Sequence, residues 1–419
     1  MILCAVFGAA IAGCGGGEKP YTNPYPIEDA EMPDSMFDFT SLSAYSPEVT
    51  ETEKHSSVPE GVKAVFYTSV PFGNLAHTKI FAYVGIPTSK KPRNGFPAVV
   101  LVHGGLGKAE PGWVKQWVDR GYVAIAPDIF SNMDAGDGLR IPNERGGPAE
   151  NNVGSIGSMT MPDEFTWTYQ RVSNIVHAFN VLHAMPETDG ARIGLVGISW
   201  GAYLTCIASG IDKRFAFFAP IYGCGFNYDD STFWGWGLSA SAIGQVNFDK
   251  WKARYDPSVY LAYDVKPTLF VGGVNREEPF SCMSRQKSAE IVKGKVFLSY
   301  RVALSHSQES GAGVEEVFDF ARHVLYGENT MLQIKACGVT GAGGAFFETG
   351  GNLSVNNLLL VYTDNAVDSD PHAWTWNTRE VICGTDGRAE TPIPNGTTAF
   401  FFAATDQNGA KSSSGIYKI

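Results

Sequence analysis

The sequence predicts an α/β architecture: a mostly parallel sheet covered by helices on both faces, with a small β-sandwich after it. Strand-length apolar runs recur along residues 97–306: "PAVVLVHGG", "YVAIAPDIF", "RIGLVGIS", "FAFFAPIYG", "PTLFVGGVN" and "KVFLSYRVALSH". They are almost continuously apolar, the pattern of strands buried on both faces rather than on one. Helical segments such as "GWVKQWVDRG" and "TWTYQRVSNIVHAFNVLHAMP" separate several of them. From about Met331 the pattern changes to alternating, Gly- and Asn-punctuated runs without helices, including "NLSVNNLLLVYT", "TREVICGT" and "TTAFFFAATDQNG". That change predicts the sandwich.

In chain order, residues 1–17 begin with an apolar run too short to span a bilayer. The run resembles the core of a secretory signal, although no Lys or Arg precedes it. Ile11-Ala12-Gly13-Cys14 matches a bacterial lipobox, in which the cysteine is lipidated. The reading is an exported lipoprotein of the cell envelope, held on the membrane through Cys14 alone. Residues 18–60, rich in Pro, Glu, Ser and Thr, read as a tether followed by an extended arm. Residues 61–329 form the large α/β unit, opening on the paired runs "VKAVFYTSV" and "KIFAYVGIP". Residues 330–419 form the β-sandwich, which has one histidine and no base–nucleophile pair.

Composition narrows the function. Net charge is −11 with no basic stripe, so nucleic acid is not an expected partner. The seven cysteines include no C-x-x-C pair or Cys/His cluster, so neither a metal nor another cofactor is expected. Cys206 with Cys224, or Cys337 with Cys383, could pair in an exported protein; buried free thiols fit equally well.

The most informative stretch is "LVGISWGAY". Gly197-Ile198-Ser199-Trp200-Gly201 fits Gly-x-Ser-x-Gly, with a buried strand before it and a helix after it. A sharp strand-to-helix turn leaves no room for a Cβ two residues either side of its centre, and it exposes the serine oxygen beside a helix N-terminus. Ser199 is therefore the expected nucleophile. His306, in the loop beyond the last strand, is the expected base; His177, His183 and His323 fall on helices, and His55, His77 and His372 lie away from this edge. "LVHGGLG" ends another buried strand, and the backbone N–H groups of Gly105 and Trp200 are the expected oxyanion-hole donors, with His103 orienting the loop. The order "HGG", "GISWG", then a histidine about a hundred residues on points to serine-dependent hydrolysis.

"RIGLVGISWGAYLTCIASGIDKRFAFFAPIYGCGF" resembles the dienelactone-hydrolase and acetyl-xylan-esterase-like group of α/β-hydrolases, close to the prolyl-oligopeptidase type. "FPAVVLVHGGLG", "WVDRGYVAIAPD" and "RYDPSVYL" carry the same likeness, over about residues 60–330. The resemblance implies an α/β-hydrolase fold, Ser199 as nucleophile, His306 as base and hydrolysis of an ester, most simply on an acylated carbohydrate. It also implies an acid after the penultimate strand, in a Gly-x-Asn-Asp turn. Here that turn reads Gly273-Val274-Asn275-Arg276-Glu277-Glu278, and an arginine cannot stabilise an imidazolium. Glu277, after a one-residue shift, is the expected replacement. Glu278, an acid from elsewhere such as Asp229 or Asp230, and a dyad without an acid are the alternatives. Gln308 stands where the group's second histidine falls.

A long insertion after "IYGCGF" carries Trp234, Trp236 and Trp251. These could stack on sugar rings at the site or simply cap the core. Two other functions compete with the esterase: a prolyl-oligopeptidase-type peptidase, which lacks a propeller-sized N-terminal domain here, and a catalytically impaired homologue with a binding role, motivated by Arg276.

Overall fold

The computed structural model describes residues 32, 35–53, 58–134, 139–148, 161–230, 232–233, 238–274 and 279–419. Cys14, Trp234, Trp236, Arg276, Glu277 and Glu278 lie outside them.

The large unit is built on one nine-stranded sheet. Its strands are β1 (Val49–Glu51), β2 (Val62–Thr68), β3 (Lys79–Gly85), β4 (Phe96–Val102) and β5 (Val123–Pro127), then, beyond a short β6 (Asn132–Asp134)–β7 (Arg140–Pro142) hairpin, β8 (Thr188–Ile198), β9 (Phe217–Ile221), β10 (Thr268–Gly273) and β11 (Val296–Arg301). The order is β1-β2-β3-β5-β4-β8-β9-β10-β11. β1, β2 and β3 join antiparallel and β3 meets β5 antiparallel; every pairing from β5 to β11 is parallel. Every residue of β4, β5, β9 and β10 is buried, which requires both faces of the sheet to be covered. Helices Pro111–Asp119, Trp167–Ala184, Trp200–Ile211, Cys282–Ile291 and Glu315–Tyr326 supply that cover.

The arm is more ordered than its composition suggests. Asp38 caps a six-residue helix, Phe39–Ala44, by accepting from Ser41 N at 3.1 Å. Phe37 and Leu42 enter the main core, and Asn180 Nδ2 donates to Leu42 O and Tyr45 O. So short a helix has no periodicity to read; tertiary contacts hold it.

The C-terminal segment folds as two antiparallel sheets. β12 (Ile334–Val339), β13 (Gly344–Thr349) and β16 (Arg388–Pro392) form one; β14 (Val355–Thr363), β15 (Asn377–Glu380), β17 (Ala399–Asp406), β18 (Lys411–Ser413) and β19 (Tyr417–Lys418) form the other. Leu358, Leu360, Phe400 and Phe402 point between the sheets, against Ala345 and Phe347. Val361, Ala399 and Phe401, on the opposite face, pack on Val274, Cys282 and Tyr300 of the large unit. The middle of β14 and of β17 is thus covered on both faces, which explains the unbroken "LLLV" and "FFF". Tyr300 N also donates to Ser413 Oγ at 2.9 Å, so this unit covers the edge strand β11. Cys206, Cys224, Cys282, Cys337 and Cys383 are all free thiols.

Candidate active site

The site begins where β8 becomes a helix. Ser199 takes φ 55° and ψ −113°, a sparsely populated conformation that costs about 1–3 kcal/mol. Its backbone is pinned on both sides: Ser199 N donates to Ile221 O at 2.8 Å, and Tyr203 N donates to Ser199 O at 2.9 Å. The flanking glycines are obligatory. A Cβ on Gly197 would lie 2.3 Å from Gly201 O, and one on Gly201 only 2.0 Å from Val102 O. The first turn of helix Trp200–Ile211 stands directly behind Ser199.

His306 reaches the serine from the loop after β11, with Nε2 2.8 Å from Ser199 Oγ. Two residues that pattern reading missed hold the imidazole. Tyr222, at φ 72° just past β9, donates its hydroxyl to Ser305 O at 2.7 Å and packs its ring 4.4 Å from that of His306. Phe280 lies nearly parallel to the imidazole at 6.4 Å. With Nε2 accepting the serine proton, Nδ1 carries the ring's own hydrogen and faces whichever group serves as acid.

The "HGG" loop closes the third side. His103 is buried; its Nε2 accepts from Ile129 N at 3.1 Å, so Nδ1 donates to Gly104 O at 2.8 Å. It orients the loop, as its position suggested. Gly104 N donates to Gln308 Oε1 at 3.2 Å, so the residue replacing a histidine in the related pattern braces this loop. A Cβ on Gly104 would sit 3.2 Å from Ser199 Cβ, and one on Gly105 2.4 Å from Trp200 Cδ1. Bare backbone is what fits against the serine here. The Trp200 indole is itself boxed by Trp167, Tyr203, Phe233 and Phe280, with centroids 5.2–6.4 Å away. Glu110, at the far end of the loop, has its carboxyl pushed up by burial, with Lys108 opposing.

The turn expected to carry the acid has its interior, 275–278, outside the described residues, but its ends are well defined. Arg285 is fully buried and donates Nη1 to Gly273 O at 3.0 Å and Nη2 to Phe280 O at 3.2 Å. The same Nη2 donates to Tyr222 O at 2.9 Å. One planar guanidinium thus ties both ends of the turn to the residue packed on His306. Gly272 permits it, since a Cβ there would meet Arg285 Cζ at 2.2 Å. Asp229 and Asp230 are engaged elsewhere: Asp229 pairs with Lys287 Nζ at 2.7 Å, and Asp230 accepts from Ser281 N at 2.8 Å. Trp251 is buried, which favours core packing over substrate stacking for that residue. Among the described residues no group of three or more His, Cys, Asp or Glu side chains could hold a metal ion.

The arrangement can perform acyl transfer: a hydroxyl bonded to an imidazole, at a helix N-terminus, facing a glycine loop. Residues 80–240 match the dienelactone hydrolase family. The fold is that of the α/β-hydrolases. Two acetyl xylan esterases share it. The enzyme from Paenibacillus sp. R4 superposes with a TM-score of 0.52 at 16% identity, over 71% of this chain and 97% of the other. That from Thermoanaerobacterium sp. JW/SL YS485 gives 0.51 at 15%, over 73% and 96%. An acylaminoacyl peptidase from Pyrococcus horikoshii gives 0.47 at 15%, over 64% of this chain and 42% of that one. No curated protein sequence matches the chain.

Proposed function

We propose that this serine hydrolase cleaves carboxylic esters, with Ser199 as nucleophile and His306 as general base and acid. The observation that carries the reading is the 2.8 Å approach of His306 Nε2 to Ser199 Oγ. Ser199 Oγ attacks the ester carbonyl as its proton passes to Nε2. The developing oxyanion turns toward the N–H groups of Gly105 and Trp200, where one such donor contributes about 3–4 kcal/mol. The imidazolium returns the proton to the leaving alcohol, and water, activated by the same nitrogen, releases the acyl group. Glu277 is the acid of this proposal, with Glu278 as the alternative. A preserved serine–imidazole contact argues against an impaired homologue, because a binding role would not maintain it.

The substrate of this proposal is an acylated, most simply acetylated, carbohydrate. Its support is the resemblance of the Ser-Trp-Gly-x-Tyr and Tyr-Gly-Cys-Gly-Phe stretches. Trp234 and Trp236 are candidate sugar contacts on the insertion. Cys14 is the proposed lipid anchor, on the strength of the lipobox match alone. A panel of p-nitrophenyl esters and acetylated sugars, assayed with wild type and Ser199→Ala, tests the reaction and its acyl preference together. Equal turnover by both proteins would refute it.

A further inference from the structure

β9 ends in an unusual turn. Gly223 N donates to Ile221 O at 3.0 Å around Tyr222, whose φ is 72°. A γ-turn with a positive φ at its centre is rare and strained. A glycine would carry that conformation freely, and one stands next in the chain, yet the positive φ falls on the tyrosine. Gly223 serves another purpose: a Cβ there would lie 2.5 Å from Ser199 O.

Three parts of the site meet at this turn. Ile221 O accepts from Ser199 N at 2.8 Å as well as from Gly223 N, so turn and nucleophile share one carbonyl. Tyr222 N donates to Val271 O at 2.7 Å, and Tyr222 O accepts from Arg285 Nε at 3.3 Å and Nη2 at 2.9 Å. The strained residue is thereby pinned on both sides, as such a conformation requires if it is to persist. The side chain runs to the base instead. Its hydroxyl donates to Ser305 O, immediately before His306, at 2.7 Å, and its ring lies 4.4 Å from the imidazole. Ser305 O also accepts from Ser307 N at 2.9 Å, which closes a second tight turn with His306 at its centre.

We propose that Tyr222 is a positioning residue that ties the base to the nucleophile, its phenol setting where the His306 turn stands relative to the Ser199 elbow. The inference rests on the serine-hydrolase reading above. Ser199 and His306 are 107 residues apart in the chain, and one phenol oxygen joins the turn beside the first to the turn that carries the second. A buried tyrosine retained for packing alone would only need some partner for its hydroxyl. Positioning and packing differ in the kinetics they predict.

The test compares full-length wild type, Tyr222→Phe and Tyr67→Phe. Tyr222→Phe keeps the ring and removes the bond. Tyr67 is the matched control: it is equally buried, its hydroxyl donates to another backbone carbonyl, Asn174 O, at 2.9 Å, and it lies on β2, away from the elbow strand β8. The readouts are kcat and KM on p-nitrophenyl acetate, the rate of Ser199 labelling by a fluorophosphonate, and the melting temperature. Displacing the base by a fraction of an ångström predicts a drop of about 10-fold in kcat and labelling rate for Tyr222→Phe, with KM within about 2-fold. Tyr67→Phe should lower the melting temperature and leave both rates within about 2-fold of wild type. Should Tyr222→Phe not fold, Tyr222→Asn, which tolerates a positive φ but lacks the phenol, is held to the same criteria. A folded variant without the phenol that keeps wild-type kcat and labelling would overturn the proposal. So would a loss of kcat in Tyr67→Phe equal to that in Tyr222→Phe. A wild type that the fluorophosphonate leaves unlabelled would overturn the reading of Ser199 itself, whereas a labelled wild type beside an unaffected Tyr222→Phe overturns only the role of Tyr222.

Discussion

Adding one methyl group at Gly105 tests the oxyanion loop directly. The new Cβ would fall 2.4 Å from Trp200 Cδ1 and 3.1 Å from Nε1, while ordinary carbon contact begins near 3.4 Å. Trp167, Tyr203, Phe233 and Phe280 flank the half-buried indole and restrict its retreat. Relief then falls largely on the loop, and a retreat of about 1 Å can cost about 10²-fold in rate at a catalytic group. Loss of one oxyanion donor costs about 10²–10³ in kcat, so both routes converge on roughly 10² or more. Gly105→Ala should lower kcat on p-nitrophenyl acetate by that factor and leave KM within about 2-fold, because the lost interaction forms in the transition state. Active-site titration with a fluorophosphonate corrects for any unfolded fraction. Gly112→Ala is the control: a Cβ there meets nothing within 4 Å, and the residue sits in the first turn of the next helix. Turnover by folded Gly105→Ala within about 3-fold of wild type would refute the assignment of this loop.

Arg285→Lys keeps the charge but loses the planar fork; severing several charge-assisted bonds in the interior should cost about 3 kcal/mol or more in a urea melt, along with kcat. A melt unchanged from wild type would count against the clamp. Asp264 is fully buried, and burial pushes its carboxyl from the ordinary 3.8 up to about 7, against hydrogen bonds from Lys266 N and Thr268 Oγ1. Between those two values the folded protein binds the extra proton, so this group's contribution to stability is present in acid and lost as pH rises toward about 7. Asp264→Asn should accordingly make the melting temperature vary less between about pH 4 and 7 than in wild type. Glu277→Gln should leave the melt intact and cut kcat by orders of magnitude, about 10⁴ for the equivalent change in a serine protease, whereas Glu278→Gln should be mild. The reverse ranking would reassign the acid.

What was legible in the sequence was what covalent geometry makes local. The elbow was readable because glycines 197 and 201 are required within two residues of Ser199, by contacts of 2.3 and 2.0 Å that any side chain would violate. His306 was readable because the end of the last parallel strand delivers a loop to the same edge. Gln308 was not: its bond to Gly104 spans 204 residues and has no local signature. Tyr222 and Arg285 share that difficulty. A tyrosine after an apolar strand and an arginine on a helix are ordinary in sequence, and only convergence gives them a role. The C-terminal strands show the opposite failure. Alternation was expected in β14 and β17, yet the five-stranded sheet has a partner on each face, so its inner strands carry apolar residues at consecutive positions.

The acid turn joins the two cases. Its departure from the related pattern is visible as Arg276 in the place of an aspartate, but the sequence alone does not say where the difference is absorbed. The fixed points limit the answer. Gly273 O and Phe280 O are both held by Arg285, Ser281 N by Asp230, and Val274 and Cys282 by the C-terminal core. With both ends braced from inside and outside, the proposed one-residue shift would be confined between them. The carboxylates inside that interval are Glu277 and Glu278. Glu277 adjoins the substituted position in sequence, and a glutamate is one methylene longer than the aspartate of the related pattern. The braces that keep the turn's ends in place are therefore what would let one glutamate substitute for an aspartate without disturbing the serine and histidine across the site.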